Sequence, residues 1–229
     1  MSIKENEFLA LIKFFREIDH LEMFLDGKIY CNTPEYYRLS NAPGVSDKNE
    51  SCHFSIRSSR GESHFEVEMN NNFIGKVSDF TIRTGRRDGW LHCWAILRTP
   101  ETDIDFEKMQ SDFKRMQREF GPHFVFVTAE NSHVMAERIA SATNNEVDCH
   151  EIDYKEHTIL GSSIKTKHVD FSYQREFRFI FEECSDQETE PKIYNVENGF
   201  RDIAQVSPKF ELVASTETEK YQFTLENKN

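Results

Sequence analysis

The stretch richest in groups that could do chemistry is Phe171 to Phe181, FSYQREFRFIF. Side chains alternate along a strand, so Tyr173, Arg175, Phe177, Phe179 and Phe181 are expected on one face. Gln174, Glu176, Arg178 and Ile180 fall on the other. An amide, a carboxylate and a guanidinium then occupy consecutive slots inside an aromatic segment. Burying such groups is costly unless they pair with each other or line a cleft. Two readings stay open: a surface strand with an ion pair on its face, or an active-site strand with Glu176 as acid or anchor.

Other constellations compete with it. Asp153-x-Lys155, with Glu66 and Glu68 as further carboxylates, could form a Mg²⁺ nuclease site, the lysine polarising the attacking water. Alternating charge on a half-exposed strand explains the same residues without a metal. Cys52-His53, His92-Cys93 and Cys149-His150 are adjacent Cys/His pairs. Neighbours on a strand face opposite sides, so each pair offers one ligand and no zinc module is expected. There is no G-x-S-x-G and no Gly-rich phosphate loop. Two basic strips, Arg83 to Arg87 and Lys165 to Lys167, could hold a phosphate or nucleic-acid backbone, and Tyr36-Tyr37 could stack on a base.

The elements that must position these groups follow from patterning. Ala10 to Arg16 reads as a first core strand, then a helix over Asp19 to Leu25 with Asp19 as N-cap and Gly27 as its stop. A strand at Lys28 to Asn32 leads into a helix beginning at Thr33-Pro34, and 41–49 is a loop. Residues 51–57 and 63–69 suggest a hairpin, Asn70 to Asn72 a turn, 73–83 another strand, and Trp90 to Leu97 a central one. Glu101 to Phe120 carries Phe106, Met109, Phe113, Met116 and Phe120 at helical spacing. A strand at Phe124 to Thr128, a helix at Asn131 to Thr143 and a strand at Val147 to His157 precede the focal segment. A short helix or turn at 199–206 and strands at 209–213 and 219–226 complete the chain. This order predicts one α+β domain over 1–229, a mixed, mainly antiparallel sheet with N-terminal and central helices.

Bulk properties bound the class. Twenty Phe among 229 residues exclude a disordered chain. A net charge of -12 means that any nucleic-acid contact must be local. Five cysteines, odd in number and without C-x-x-C, predict free thiols in a reducing cytoplasm, and no apolar run approaches a membrane span.

Leu11 to Tyr30 (LIKFFREIDHLEMFLDGKIY), Tyr30 to Tyr37 (YCNTPEYY) and Lys165 to Arg178 (KTKHVDFSYQREFR) together resemble a family of bacterial and phage proteins of uncharacterised function. Those proteins open with a K-F/Y-R strand and close with a Y-x-x-E-F/W/Y-R signature; their central M-W-x-x-Y strand is degenerate here, with Trp94 the nearest match. The same layout is remotely similar to ADP-ribosyltransferases. That resemblance implies NAD as substrate, Arg16, Thr33, Tyr37, Tyr173 and Arg178 as its binding set, and Gln174-x-Glu176 as the catalytic pair. Breaking the bond to nicotinamide builds oxocarbenium charge, which a carboxylate beside the ribose would stabilise. The acceptor would be a macromolecule, protein or nucleic acid, in a toxin or phage-defence setting with a protein partner or antitoxin. The alternative from another class is a non-catalytic acidic protein that binds a host or phage partner.

Overall fold

The computed structural model describes residues 6–83, 88–144, 146–156, 163–215 and 220–227. The elements begin with β1 (Phe8–Phe15), α1 (Ile18–Leu25), β2 (Lys28–Cys31), α2 (Pro34–Leu39) and β3 (Phe54–Arg57). A 3-10 turn (Ser58–Arg60) leads to β4 (Phe65–Met69), β5 (Asn72–Val77), β6 (Asp79–Ile82) and the long β7 (Asp88–Arg98). Next come α3 (Asp103–Phe120), β8 (His123–Thr128), α4 (Ala129–Ala142), β9 (Val147–Glu151), β10 (Asp153–Lys155) and β11 (Thr166–His168). After a second 3-10 segment (Val169–Gln174) come β12 (Glu176–Cys184), β13 (Lys192–Asn195), β14 (Ala204–Gln205), β15 (Lys209–Ser215) and β16 (Lys220–Glu226).

A six-stranded antiparallel sheet, ordered β14-β8-β1-β7-β12-β9, is the frame. It is buried on both sides. Leu11, Trp94, Ile96, Val125, Val127, Phe179 and Phe181 meet α1 and α4 on one face. Ile12, Ala95, Leu97 and Phe124 meet α3 and the β15/β16 hairpin on the other. The expected stripe of α3 is that second face: Phe106, Met109, Phe113 and Met116 are all buried, and Thr102 caps the helix by accepting from Asp105 N. The α+β class, the mainly antiparallel strand pairing and the single domain are therefore as expected; the six-stranded sheet itself is wholly antiparallel, and the parallel pair β10/β11 is a separate two-stranded ladder. Among the described residues, no helix is long and apolar enough to cross a membrane.

Three expectations change. The hairpin runs from β4 to β5, turned by Asn70 and Asn71 at φ of 53° and 60°, while β3 pairs with β6 around it. Two left-handed residues in a two-residue loop are what a tight hairpin needs, and asparagine tolerates that region. The focal segment is not one strand: 169–174 is a 3-10 turn, Arg175 sits at φ 46°, and β12 starts only at Glu176. The N-cap position of α1 is Glu17, not Asp19, and its side chain makes no capping bond.

β1 and β7 pair only as far as Ile12 opposite Ala95. Past that point β1 continues along β8 to Phe15, β7 continues along β12, and Asn32 after β2 bridges to Leu91 by both backbone bonds. The sheet thus splits between β1 and β7.

Gly27 follows α1 at φ 92°, where a Cβ would lie 2.2 Å from the Val196 carbonyl oxygen. Gly61 has φ 72° but open space around it. Gly61→Ala should cost about 1 kcal/mol from backbone strain alone, and Gly27→Ala about 3 kcal/mol or more, because a main-chain clash is added. Urea unfolding of both variants checks the ranking.

Candidate functional site

The split in the sheet opens into a cavity of about 340 Å³. Ile12, Lys13, Phe14 and Arg16 line it from β1 and its end, and Cys93, Trp94 and Ala95 from β7. Tyr36 and Tyr37 of α2 flank it, and Ala42, Gly44 and Val45 of the following loop cover it. Its polar wall is Lys167, Gln174, Glu176 and Arg178. Aromatic walls with a few convergent polar groups are the usual make-up of a ligand site.

That wall belongs to a closed ion cluster. Glu176 and Arg178 lie opposite Ala95 and Cys93 in the β12/β7 register, on the α3 face of the sheet. Arg178 is fully buried, and its donors are all matched. Nε meets Glu176 Oε1 at 2.6 Å, and Nη1 meets Glu50 Oε1 and the Ile164 carbonyl, each at 2.7 Å. Nη2 meets Glu50 Oε2 at 2.9 Å and Glu176 Oε2 at 3.3 Å. Lys167 Nζ adds a contact to Glu176 Oε2 at 2.8 Å and donates to Gln174 Oε1 at 2.9 Å. Gln174 Nε2 donates to the Gly44 carbonyl at 2.8 Å, tying the covering loop to the same wall.

Burial alone would raise the Glu176 carboxyl, but Arg178 and Lys167 outweigh it and hold the group below the usual carboxylate range. The same balance keeps Lys167 and Arg178 firmly protonated: desolvation opposes their charge, and Glu176 and Glu50 overcome it. Burial pushes the Cys93 thiol up to about 12, so it is no thiolate nucleophile. Burial also raises the Tyr37 hydroxyl.

Of the residues singled out in the sequence, Arg16, Tyr37, Gln174, Glu176 and Arg178 all line this one cavity. Arg16 is exposed, and its Nη2 donates to the Glu119 carbonyl at 3.2 Å. Two others lie elsewhere. Thr33 is fully buried as the N-cap of α2, accepting from Tyr36 N and donating to the Glu188 carbonyl. Tyr173 turns into the α3 core, donating to Glu119 Oε2 at 2.6 Å beneath the Arg115 guanidinium. Gln174 reaches the wall from the 3-10 turn, not from the strand. Lys167 is buried in the cluster, and Lys165 pairs with Asp148, so this basic strip presents no continuous phosphate-binding face. Arg83 pairs with Asp88 and Asp186, while 84–87 lie outside the described residues. For the nuclease reading, Glu66 pairs with Lys76 on the β4/β5 hairpin, and among the described residues no three His, Cys, Asp or Glu converge to hold an ion.

Sequence reasoning missed Glu50, Lys13 and Asn32. Glu50 sits in a loop that composition marks only as irregular. Lys13 carries a signal in hindsight, a single charge inside the apolar run FLALIKFF.

Glu50→Ala leaves Arg178 and Lys167 short of a counter-charge where water cannot reach, and should cost about 3–5 kcal/mol in denaturant unfolding. Asp47 in the same loop behaves in the opposite sense. Burial and the neighbouring Glu50 push its carboxyl up to about 6, above the ordinary 3.8. A raised carboxyl contributes stability in full below pH 4 and loses it as pH rises through 6, for a total of about 3 kcal/mol. Asp47→Asn should therefore be more stable than the native chain at pH 7 by up to that amount and no more stable at pH 4, read from unfolding curves at both. Comparison with protein-family models, with curated proteins and with solved structures finds no match to this chain.

Proposed function

We propose that this chain is an enzyme of the ADP-ribosyltransferase type, taking NAD as substrate and modifying a macromolecule, protein or nucleic acid. The observation that carries the reading is that one cavity is lined by Arg16, Tyr37, Gln174, Glu176 and Arg178, residues brought together from both ends of the chain. In this reading the aromatic walls take the flat rings, Arg16 at the exposed end meets the pyrophosphate, and Glu176 faces the ribose. The bond from ribose C1′ to the nicotinamide nitrogen breaks, nicotinamide departs with the bonding pair, and an acceptor nucleophile attacks C1′ and gives up its proton. A carboxylate beside C1′ lowers the energy of the intervening positive charge. Both Glu176 oxygens already accept from Arg178 and Lys167, so their charge is compensated as the protein stands. Substrate phosphate that drew the Lys167 ammonium toward itself would expose the carboxylate to the ribose. The biological setting proposed with it is a toxin or phage-defence effector, with a neutralising protein as its partner class.

The closed cluster favours a second reading: a binding protein without catalysis, in which Glu176 only holds the wall together. Labelled NAD incubated with the protein and cell extract separates the two. The enzyme reading expects label on a macromolecule, lost in Glu176→Gln, and a raised KM in Arg16→Ala. Because Arg16 is exposed, that variant keeps the test valid if Glu176→Gln is poorly folded. A native chain that neither binds NAD nor transfers label ends the enzyme reading.

A further inference from the structure

Lys13 is a charge without a counterpart. Its Nζ donates to the Cys93 carbonyl at 2.7 Å across the split in the sheet, and among the described residues it forms no ion pair. An ammonium carries three N–H donors, and this bond uses one; beyond it the Phe15 ring lies 5.9 Å from Nζ. Burial lowers its proton affinity, against the opposing pull of the Glu176 carboxylate. Arg178 and Lys167 are balanced by Glu176 and Glu50, whereas among the described residues Arg16 meets only a carbonyl. With Glu50 behind the wall counted, Lys167 and Arg178 are balanced, and the lining keeps two further cations, Lys13 and Arg16.

A second, independent observation points the same way. Trp94 lines the cavity at 3 % exposure, and among the described residues its Nε1–H has no acceptor. Indole N–H is a donor only, and a buried one ordinarily finds a partner. Lys13 Nζ lies 5.9 Å from the Trp94 ring centroid. On the same cavity, Asn32 Oδ1 is a buried acceptor that meets no donor among the described residues. His92 Nε2, on a ring 5.9 Å from that of Trp94, also has no partner among the described residues, its Nδ1 being used on the Tyr30 carbonyl.

We propose that the inner end of the cavity is a subsite for an oxyanion of the ligand, a phosphate or a carboxylate, received by Lys13 and Trp94 Nε1–H. Asn32 Oδ1 takes a hydroxyl or amide N–H beside that group. The ligand class is therefore a small organic anion bearing a neighbouring donor, of which a sugar phosphate is the simplest example. An anion at this point supplies a counter-charge to a half-buried ammonium that has no ion pair among the described residues, so binding lowers the cost of that charge instead of adding to it. The inference concerns any anionic ligand and does not depend on NAD or on transfer.

Thermal unfolding of the whole chain at low ionic strength, with ribose 5-phosphate, inorganic phosphate or acetate added, tests it. A stabilising shift with the phosphate compounds alone identifies a phosphate site, and an equal shift with acetate identifies a carboxylate site. Lys13→Met removes the charge while keeping the side chain's length, so the ligand-free protein should melt no lower than the native chain. Its affinity for the effective probe should fall at least about tenfold, and Trp94→Phe should weaken the same probe. The subsite is refuted if no probe stabilises the native chain, or if Lys13→Met binds the effective probe as well as the native chain does. Oxyanion binding without label transfer leaves the subsite standing and ends the enzyme; transfer that survives Lys13→Met, with binding of the probe undiminished, does the reverse.

Discussion

Arg178 cannot shed its proton, and it has no exposure to water. Those two facts dictate much of what surrounds it. A buried guanidinium must be neutralised and have its donors filled, and both partners have to be carboxylates for the charge of Lys167 to be met as well. Glu176 comes from the same strand face two residues away; Glu50 comes from a loop and Lys167 from β11. Segments distant in sequence are therefore locked to the middle of the sheet by geometry that an apolar contact would not specify. Buried ion clusters are weak sources of net stability. What this one secures is position, because bonds from fixed donors admit one placement of the loop that carries Glu50.

That placement creates the cavity. Where β1 stops pairing with β7, a chain of ordinary apolar residues would close the gap by packing. Here Lys13 spans the gap and the loop after α2 covers it, held by Gln174 at Gly44 and by Arg178 at Glu50. The cavity is a consequence of polar ties at its rim, so its lining is charged even though both sheet faces beside it are hydrophobic cores.

Elements with a strong period were legible in the sequence. The stripe of α3, the Thr33-Pro34 start of α2 and the apolar β7 follow from local rules, and they appear where those rules put them. The identity of the polar face around Glu176 and Arg178 was legible for the same reason. Tyr173 and Gln174 were assigned to opposite faces of a strand that begins only after them, because the left-handed Arg175 breaks the alternation and nothing in its residue type announces that. Glu50 and Thr33 show the other limit. A loop glutamate becomes half of a buried ion pair, and a threonine next to proline becomes a cap. The cap itself is local, closed by Tyr36 N, but the pairing of Glu50 with Arg178 and the bond from Thr33 to the Glu188 carbonyl reach partners that no local window contains.

A second charged knot extends the first. Arg38, fully buried on α2, donates to Glu35, to Asp88 on β7 and to the Glu50 carbonyl, while Arg57 on β3 grips Glu35 from the other side. Glu50 thus holds Arg178 through its carboxylate and Arg38 through its backbone. The segment from α2 to β3 is attached to the sheet chiefly through these charges, whereas the sheet itself is held by two apolar cores. Lifting that segment would re-solvate ions, which recovers part of what is lost, but it would expose little of either core. Local opening should for that reason cost less than global unfolding. The segment includes residues that line the cavity, Ala42, Gly44 and Val45, so lifting it would uncover Lys13 and Glu176.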